Sequence, residues 1–190
     1  PRWTLDYVFG PKFRLPNLDG HVQEGSGKAV SIQDYFNTML DTGMDWDTAA
    51  RIRQDWGGTF ALKGVMSAAD ARRAVEIGAD AIWISNHGGR QLDGSRAPFD
   101  QLREIVDTVG GEIEIILDGG VRRGTHALKS VAAGATAASG GRLYLYALAA
   151  AGQEGVERAL LILKEEIERG MRLMGVTSVD QLTPDRLRWR

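Results

Sequence analysis

The sequence contains no cysteine. That excludes a disulfide framework, a thiolate metal site and a cysteine nucleophile, and it fits a reducing compartment. A dominant charge is also missing. Lys and Arg number 23 against 25 Asp and Glu, a formal charge of −2, so no net field draws the chain to nucleic acid or anionic lipid, and no nucleic-acid partner is expected. No apolar run approaches the roughly 18 residues of a transmembrane helix. The opening Pro1-Arg2-Trp3-Thr4 has neither the charged start nor the apolar stretch of a signal peptide. It also lacks an initiator Met, so the chain is expected to begin inside a longer one. Histidines are few: His21 sits in irregular sequence, and His126 has no ligand partner at helical spacing. No metal site is expected.

What is present is ordinary for a soluble globular domain. The chain has 190 residues, 43% hydrophobic and 25% charged, enough for one sizeable core. Residues 1 to about 33 are rich in Gly, Pro, Asn and isolated aromatics and show no sustained period. They read as a long loop with one helical turn around Leu5–Phe9. From about Asp34 the pattern becomes regular.

Short apolar runs then alternate with amphipathic stretches. Strands are expected at Phe60–Gly64, Ala81–Ser85, Glu114–Asp118 and Thr136–Gly140. Helices are expected at Ser67–Ile77, with Ser67 and Asp70 as a capping pair, at Pro98–Val109, at Thr125–Ala133, and at Glu154–Met174. Asp45 is placed to cap a helix starting near Trp46. The last helix carries Val156, Leu160, Leu163, Ile167, Met171 and Met174 along one stripe. An internal echo supports repeated units: Gly78-Ala79-Asp80-Ala81 and Gly134-Ala135-Thr136-Ala137 each lead from a helix into a strand, with Gly as a helix cap. Near-continuous apolar strands separated by helices imply a parallel sheet. Four such units make half of a (β/α)₈ barrel, or a small open α/β domain.

The chemistry concentrates after these strands. Ser85-Asn86-His87-Gly88-Gly89-Arg90-Gln91-Leu92-Asp93 follows the second strand directly, where barrel enzymes place catalytic groups. A His exchanges protons near neutral pH, an Arg grips a carboxylate with a forked pair of bonds, and two glycines let the backbone turn sharply beside a flat ligand. Asp118-Gly119-Gly120-Val121-Arg122-Arg123-Gly124 and Gly140-Gly141-Arg142 follow the third and fourth strands. Gly-rich turns of this kind, with an Arg nearby, hold phosphates.

The nine-residue string resembles the signature of the FMN-dependent L-2-hydroxy-acid dehydrogenases and oxidases, a resemblance that runs through nearly the whole chain. It implies a (β/α)₈ TIM barrel of which this chain supplies the C-terminal half. FMN is the implied cofactor, and the implied reaction oxidises a mandelate- or lactate-like L-2-hydroxy acid to the 2-oxo acid. By match, His87 is the base, Arg90 binds the substrate carboxylate, and Ser85 and Gly88 lie against the flavin. Lys63, in Ala61-Leu62-Lys63-Gly64, contacts the flavin N1 region. Asp41, in Asp41-Thr42-Gly43-Met44-Asp45-Trp46, pairs with the catalytic His, although spacing alone makes it a turn residue or a cap. Asp118 reaches the ribityl chain, Gly119 and Gly120 belong to the Gly-rich cofactor-binding turn, and Arg122, Gly141 and Arg142 hold the FMN phosphate. Arg123 is expected to face solvent.

The resemblance further implies that the N-terminal barrel half is a partner, that oxygen or a quinone takes the electrons, and that the protein is a homo-oligomer, a tetramer. It implies residues 1–33 as a mobile loop after the fourth barrel strand. Trp3, Tyr7, Phe9 and Phe13 beside Arg2, Lys12 and Arg14 give that loop two readings, an active-site lid or a membrane-contact segment. Localisation is then cytoplasmic, or peripheral on the cytoplasmic membrane. Two departures stand out. The fourth strand, Ala137-Ala138-Ser139, is smaller than is usual, so the interior there is less filled or is filled from elsewhere, and Leu143 replaces a common Pro. Two other readings remain: a phosphate-ligand barrel of different activity, and a non-catalytic half-barrel acting as an assembly partner.

Overall fold

The computed structural model describes residues 2–10 and 40–189, and the chain divides into two compact units, Pro1–Met44 and Asp45–Arg190. The first contains helix α1, Arg2–Phe9. It is two turns long and begins earlier than the single turn expected at Leu5–Phe9. A lone turn fixes many dihedrals for few hydrogen bonds, and no breaker follows Pro1 to stop the helix beginning at Arg2. The boundary near residue 33, together with Lys12, Phe13, Arg14 and His21, lies outside the described residues.

The second unit opens with α2, Trp46–Trp56. Asp45 caps it as expected, its carboxylate accepting from Thr48 N–H at 2.9 Å. Strand and helix then alternate: β1 Ala61–Lys63, α3 Ala68–Glu76, β2 Ala81–Ile84, α4 Pro98–Val109, β3 Glu114–Asp118, α5 Gly124–Ala132, β4 Ala137–Ser139 and α6 Arg142–Met174. Ser67 caps α3, accepting from Asp70 N–H at 3.0 Å. Gly78 and Gly134 both take left-handed φ, 76° and 104°. After each, the next residue's N–H reaches back into the helix, Ala79 to Ala74 O and Ala135 to Ser130 O at 3.0 Å. Both turns are therefore the same glycine-terminated helix ending.

All strand pairs are parallel, in the order β1-β2-β3-β4. A doubly wound sheet reverses direction at its middle; this one steps steadily in one direction, as a barrel wall does. The register separates two faces. Leu62, Ile82, Ile115 and then Ile84, Leu117, Ala138 align on one, and Lys63, Trp83, Ile116, Ala137 and then Asp118, Ser139 on the other. Ile82, Ile84, Ile115 and Leu117 are fully buried against Ala71, Ala74, Leu102, Ile105 and Val109 of the helices. The opposite face is the more polar and open one, and it carries the site. Trp83 shares a row with the small Ala137 through Ile116.

Helix α6 is longer than expected. The stripe from Glu154 forms only its second part, after a break at Ala151 and Gly152, whose φ is 60°. Leu143–Ala150 is rich in Leu and Ala, strong helix formers, but it is apolar all round, so no period marks it. Of the stripe, Ile167 and Met171 pack on Leu128, Ala132, Val176 and Leu182, whereas Leu160 is half exposed. The α5–α6 contact is close enough to require glycine: a Cβ at Gly124 would stand 2.6 Å from Ile167 N and from Glu166 Cβ. Gly124→Ala is therefore expected to destabilise the protein by about 1–3 kcal/mol through overpacking. Urea midpoints of the two proteins measure this, and equal midpoints would refute it.

Candidate active site

The ends of the four strands converge on one cavity of about 660 Å³, whose lining includes Lys63, His87, Gly88, Arg90, Asp118, Gly119, Gly120, Arg122, Gly141 and Arg142. Ten of the twelve residues singled out in the sequence thus share one space. Ser85 lies just beneath them, almost fully buried. Asp41 belongs to the first unit, where its carboxylate accepts from Gly43 N–H at 2.8 Å; there it makes the turn that spacing alone indicates.

The floor is a three-membered polar network. Lys63 Nζ donates to Ser85 Oγ at 2.9 Å and to Asp118 Oδ2 at 3.0 Å, and Ser85 Oγ donates to Asp118 Oδ2 at 2.7 Å. Lys63 ends β1, Ser85 follows β2 and Asp118 ends β3; Lys63 is level with Trp83 and Ile116, and its long side chain spans the two residues to Ser85 and Asp118. Lys63 is thus held rather than swinging in solvent. Burial pushes the Asp118 carboxyl up, but bonds from Ser85 and Lys63, the Lys63 charge and Ser139 outweigh it, and its pKa is lowered.

A carboxyl with a lowered folded-state pKa stabilises the fold above its unfolded pKa of about 3.9, and that stability is lost as pH falls through the folded value. Wild-type protein is therefore expected to lose more stability than Asp118→Asn between pH 7 and pH 3. Denaturant midpoints at both pH values test this, and equal losses would remove Asp118 as a source of acid sensitivity.

The His87 turn is unusual in its backbone. His87, Gly88 and Gly89 all have positive φ, at 54°, 72° and 73°. Such a run is costly for a non-glycine residue, although His is among the side chains that visit this region. Local bonds hold it: Ser85 Oγ accepts from His87 N–H at 3.2 Å, Asn86 Oδ1 from Gly88 N–H at 3.1 Å, and Asn86 O from Gly89 N–H at 2.9 Å. The imidazole lies over Gly64, where a Cβ would stand 3.2 Å from its Nε2.

At the other end of the cavity stand Arg122, Gly141 and Arg142, with the first turn of α6 beginning at Arg142 and containing no acidic residue. Two guanidinium groups beside a helix start suit a phosphate. Arg123 points elsewhere and pairs with Glu166 of α6 at 2.6 Å, in keeping with its expected place outside the site. His126 has an unforeseen structural part. Its Nδ1 lies 3.1 Å from both Arg122 N and Gly120 O, so it braces the Gly-rich turn after β3. Sequence inspection also missed Trp83, Ser139, Tyr144 and Tyr146 in the lining. Ser139 could have been found by aligning strand ends, since it pairs in register with Asp118.

This donor set fits FMN. There is a cation for the electron-rich end of a flavin, a wide cavity bordered by glycine backbone, and a pair of arginines for a phosphate. Among the described residues no cluster of His, Cys, Asp and Glu suits a metal ion.

Comparison with known proteins agrees with this donor set. The family described as FMN-dependent dehydrogenase matches residues 1–189. An L-lactate dehydrogenase of Alcaligenes faecalis is 40% identical over 98% of this chain and 49% of that protein. A pre-mycofactocin synthase of Mycolicibacterium smegmatis is 40% identical over 97% of this chain and 46% of its own length. Among solved structures, the recombinant flavin-binding domain of baker's yeast flavocytochrome b2 superposes with a TM-score of 0.75 at 42% identity, covering 77% of this chain and 38% of that one. Mandelate oxidase with benzoyl-formic acid gives a TM-score of 0.70 at 44% identity, covering 73% and 42%. The chain spans about half the length of the curated relatives it matches. With its four parallel β/α units and its site at their ends, the chain belongs to the FMN-dependent dehydrogenase family and forms the C-terminal half of that family's TIM barrel.

Proposed function

We propose that this chain supplies the base, the carboxylate clamp and the phosphate cradle of an enzyme that oxidises an L-2-hydroxy acid to the 2-oxo acid. One observation carries the reading: Lys63, His87, Arg90, Arg122 and Arg142 line a single cavity. A phosphate-ligand barrel needs the two arginines at the rear but not the other three residues, and a non-catalytic scaffold needs none of them.

When bound, FMN supplies the two-electron acceptor. The remaining work falls to the chain's own groups. Arg90 offers a planar fork to the substrate carboxylate, which sets the hydroxyl-bearing carbon toward His87. His87 takes a proton from that carbon–hydroxyl unit, and Asp41 steadies the imidazolium in the complete protein, as a carboxylate does for a catalytic imidazole. Lys63 holds positive charge where negative charge develops. Ser85 and Asp118 keep its ammonium in place.

The substrate is an acid of the lactate or mandelate kind, with oxygen or a quinone receiving the electrons. The first four barrel strands come from an N-terminal half, the assembly is a homo-tetramer, and the protein is cytoplasmic, with residues 1–33 as a lid or membrane-contact segment. The decisive experiment is the visible spectrum of the protein joined to that half, recorded anaerobically before and after adding L-lactate and L-mandelate. A flavin spectrum that bleaches supports the reading and ranks the two acids. Absence of flavin after reconstitution with FMN would overturn it.

A further inference from the structure

The rear of the cavity and the catalytic turn are joined by one bond. Arg142 Nη2, at the start of α6, donates to the carbonyl of Gly88 at 2.9 Å, across 54 residues of sequence. The contact is built from both sides. A Cβ at Gly88 would stand 2.9 Å from Arg142 Nη2 and 3.2 Å from its Cζ, so a side chain there would push the guanidinium out of its present place. Gly88 is also the middle member of the three left-handed residues.

The other bonds to the turn come from Ser85 and Asn86, within two or three residues. They fix its shape and, through Ser85 Oγ, tie it to Lys63 of β1 and Asp118 of β3, but not to β4 or α6. Asn86 Nδ2 reaches Arg96 O at 3.3 Å, which tethers only the base of the loop. Arg142 alone among the described residues links the His87 turn to the wall formed by β4 and α6.

We infer that Arg142 is a positioning residue for His87: it clamps the strained turn through the Gly88 carbonyl, and so couples the anion-binding end of the site to the base. A guanidinium carries about five N–H donors in a fixed fork, so the bond to Gly88 leaves others for a phosphate oxygen. An anion at Arg142 holds this side chain in the rotamer that clamps the turn. Occupation of the rear of the cavity then orders the front, and the base is set in place when the cofactor is seated. The coupling to the cofactor rests on the flavin reading above; the clamp does not.

Amide hydrogen exchange on the full chain separates the two. Without ligand, Arg142→Gln is expected to speed exchange across residues 87–90 by about tenfold or more, the factor carried by one hydrogen bond to a charged group, with residues 98–109 and 114–118 unchanged as internal controls for folding. Gly88→Ala should produce a similar acceleration, and the double variant should be no faster than the faster single one, since both act on one contact. Arg142→Lys, which keeps a donor and the charge, should recover part of the protection. Unchanged exchange in Arg142→Gln, or full additivity in the double variant, overturns the clamp.

Addition of FMN to the protein joined to its N-terminal half tests the coupling. Residues 87–90 should gain protection in wild type and not in Arg142→Gln at saturating FMN. Equal protection in both overturns the coupling. If wild type binds no FMN, the flavin reading fails while the clamp stands on the ligand-free result.

Discussion

His87→Asn in the complete barrel is expected to slow anaerobic flavin reduction by L-lactate or L-mandelate by about 10²–10⁴-fold, the contribution of a placed general base, while FMN content stays near wild type. Asn is the informative replacement because the φ of 54° at this position is one that Asn adopts readily. The turn is then kept and the imidazole lost. Lys63, Arg122 and Arg142 are untouched, so cofactor binding should survive. Stopped-flow absorbance gives the rate and the bound-flavin spectrum gives occupancy. A rate within a few-fold of wild type would show that another group takes the proton.

Gly64→Ala is expected to lower the same rate by about three- to tenfold without removing any functional group: a shift of about an ångström costs about 10²-fold, and the contact at Gly64 calls for a few tenths of that. Gly64 follows β1 directly with φ at 104°, and its N–H and that of Val65 both donate to Trp83 O, at 3.0 and 3.2 Å. The conformation is therefore pinned to the neighbouring strand. An Ala there carries strain of about 1–3 kcal/mol, and its methyl meets His87 Nε2 at 3.2 Å. The imidazole has to move, and the network at Lys63, one residue away, feels the strain. Melting temperature, FMN content and rate should fall in unequal measure, the rate most. A full rate in a folded Gly64→Ala protein would mean that the imidazole does not work from its present position.

How much of this was legible in the sequence depends on what kind of physics fixed each part. Helices α3, α4 and α5 were legible because their caps and apolar periods are local: Ser67 and Asp70 meet as a pair, and Pro98 opens α4. Strands were legible as apolar runs, though β1 and β4 proved a residue shorter at each end, where backbone bonding rather than composition sets the limit. The first turns of α6 were not legible, because a segment apolar on all sides has no period. The cavity residues emerged through the resemblance of whole motifs, since neither a lone His-Gly-Gly nor a lone Lys-Gly reveals what it faces. The contacts that assemble the site were hidden, as they join distant positions: Lys63 to Asp118, and Arg142 to Gly88. Asp41 shows the limit from the other side. Its local geometry expresses the turn chemistry of an Asp two residues before a Gly, and its pairing with His87 rests on resemblance.

The sequential strand order also bears on how the chain acquires its shape. Each strand pairs with the one before it, so every new β/α unit made at the ribosome finds its template already standing. Loop-closure entropy is paid in short instalments instead of in one long search, which keeps the average separation of contacting residues low for a parallel sheet. The strand order makes a zipper from β1 toward β4 the expected course of such growth. Its last tooth within this chain is three small residues, Ala137-Ala138-Ser139, paired with β3. The register pairing of Asp118 with Ser139 and the packing of α6 on α5 come at that final step. The cofactor site is thus completed last, and only after its walls can support it.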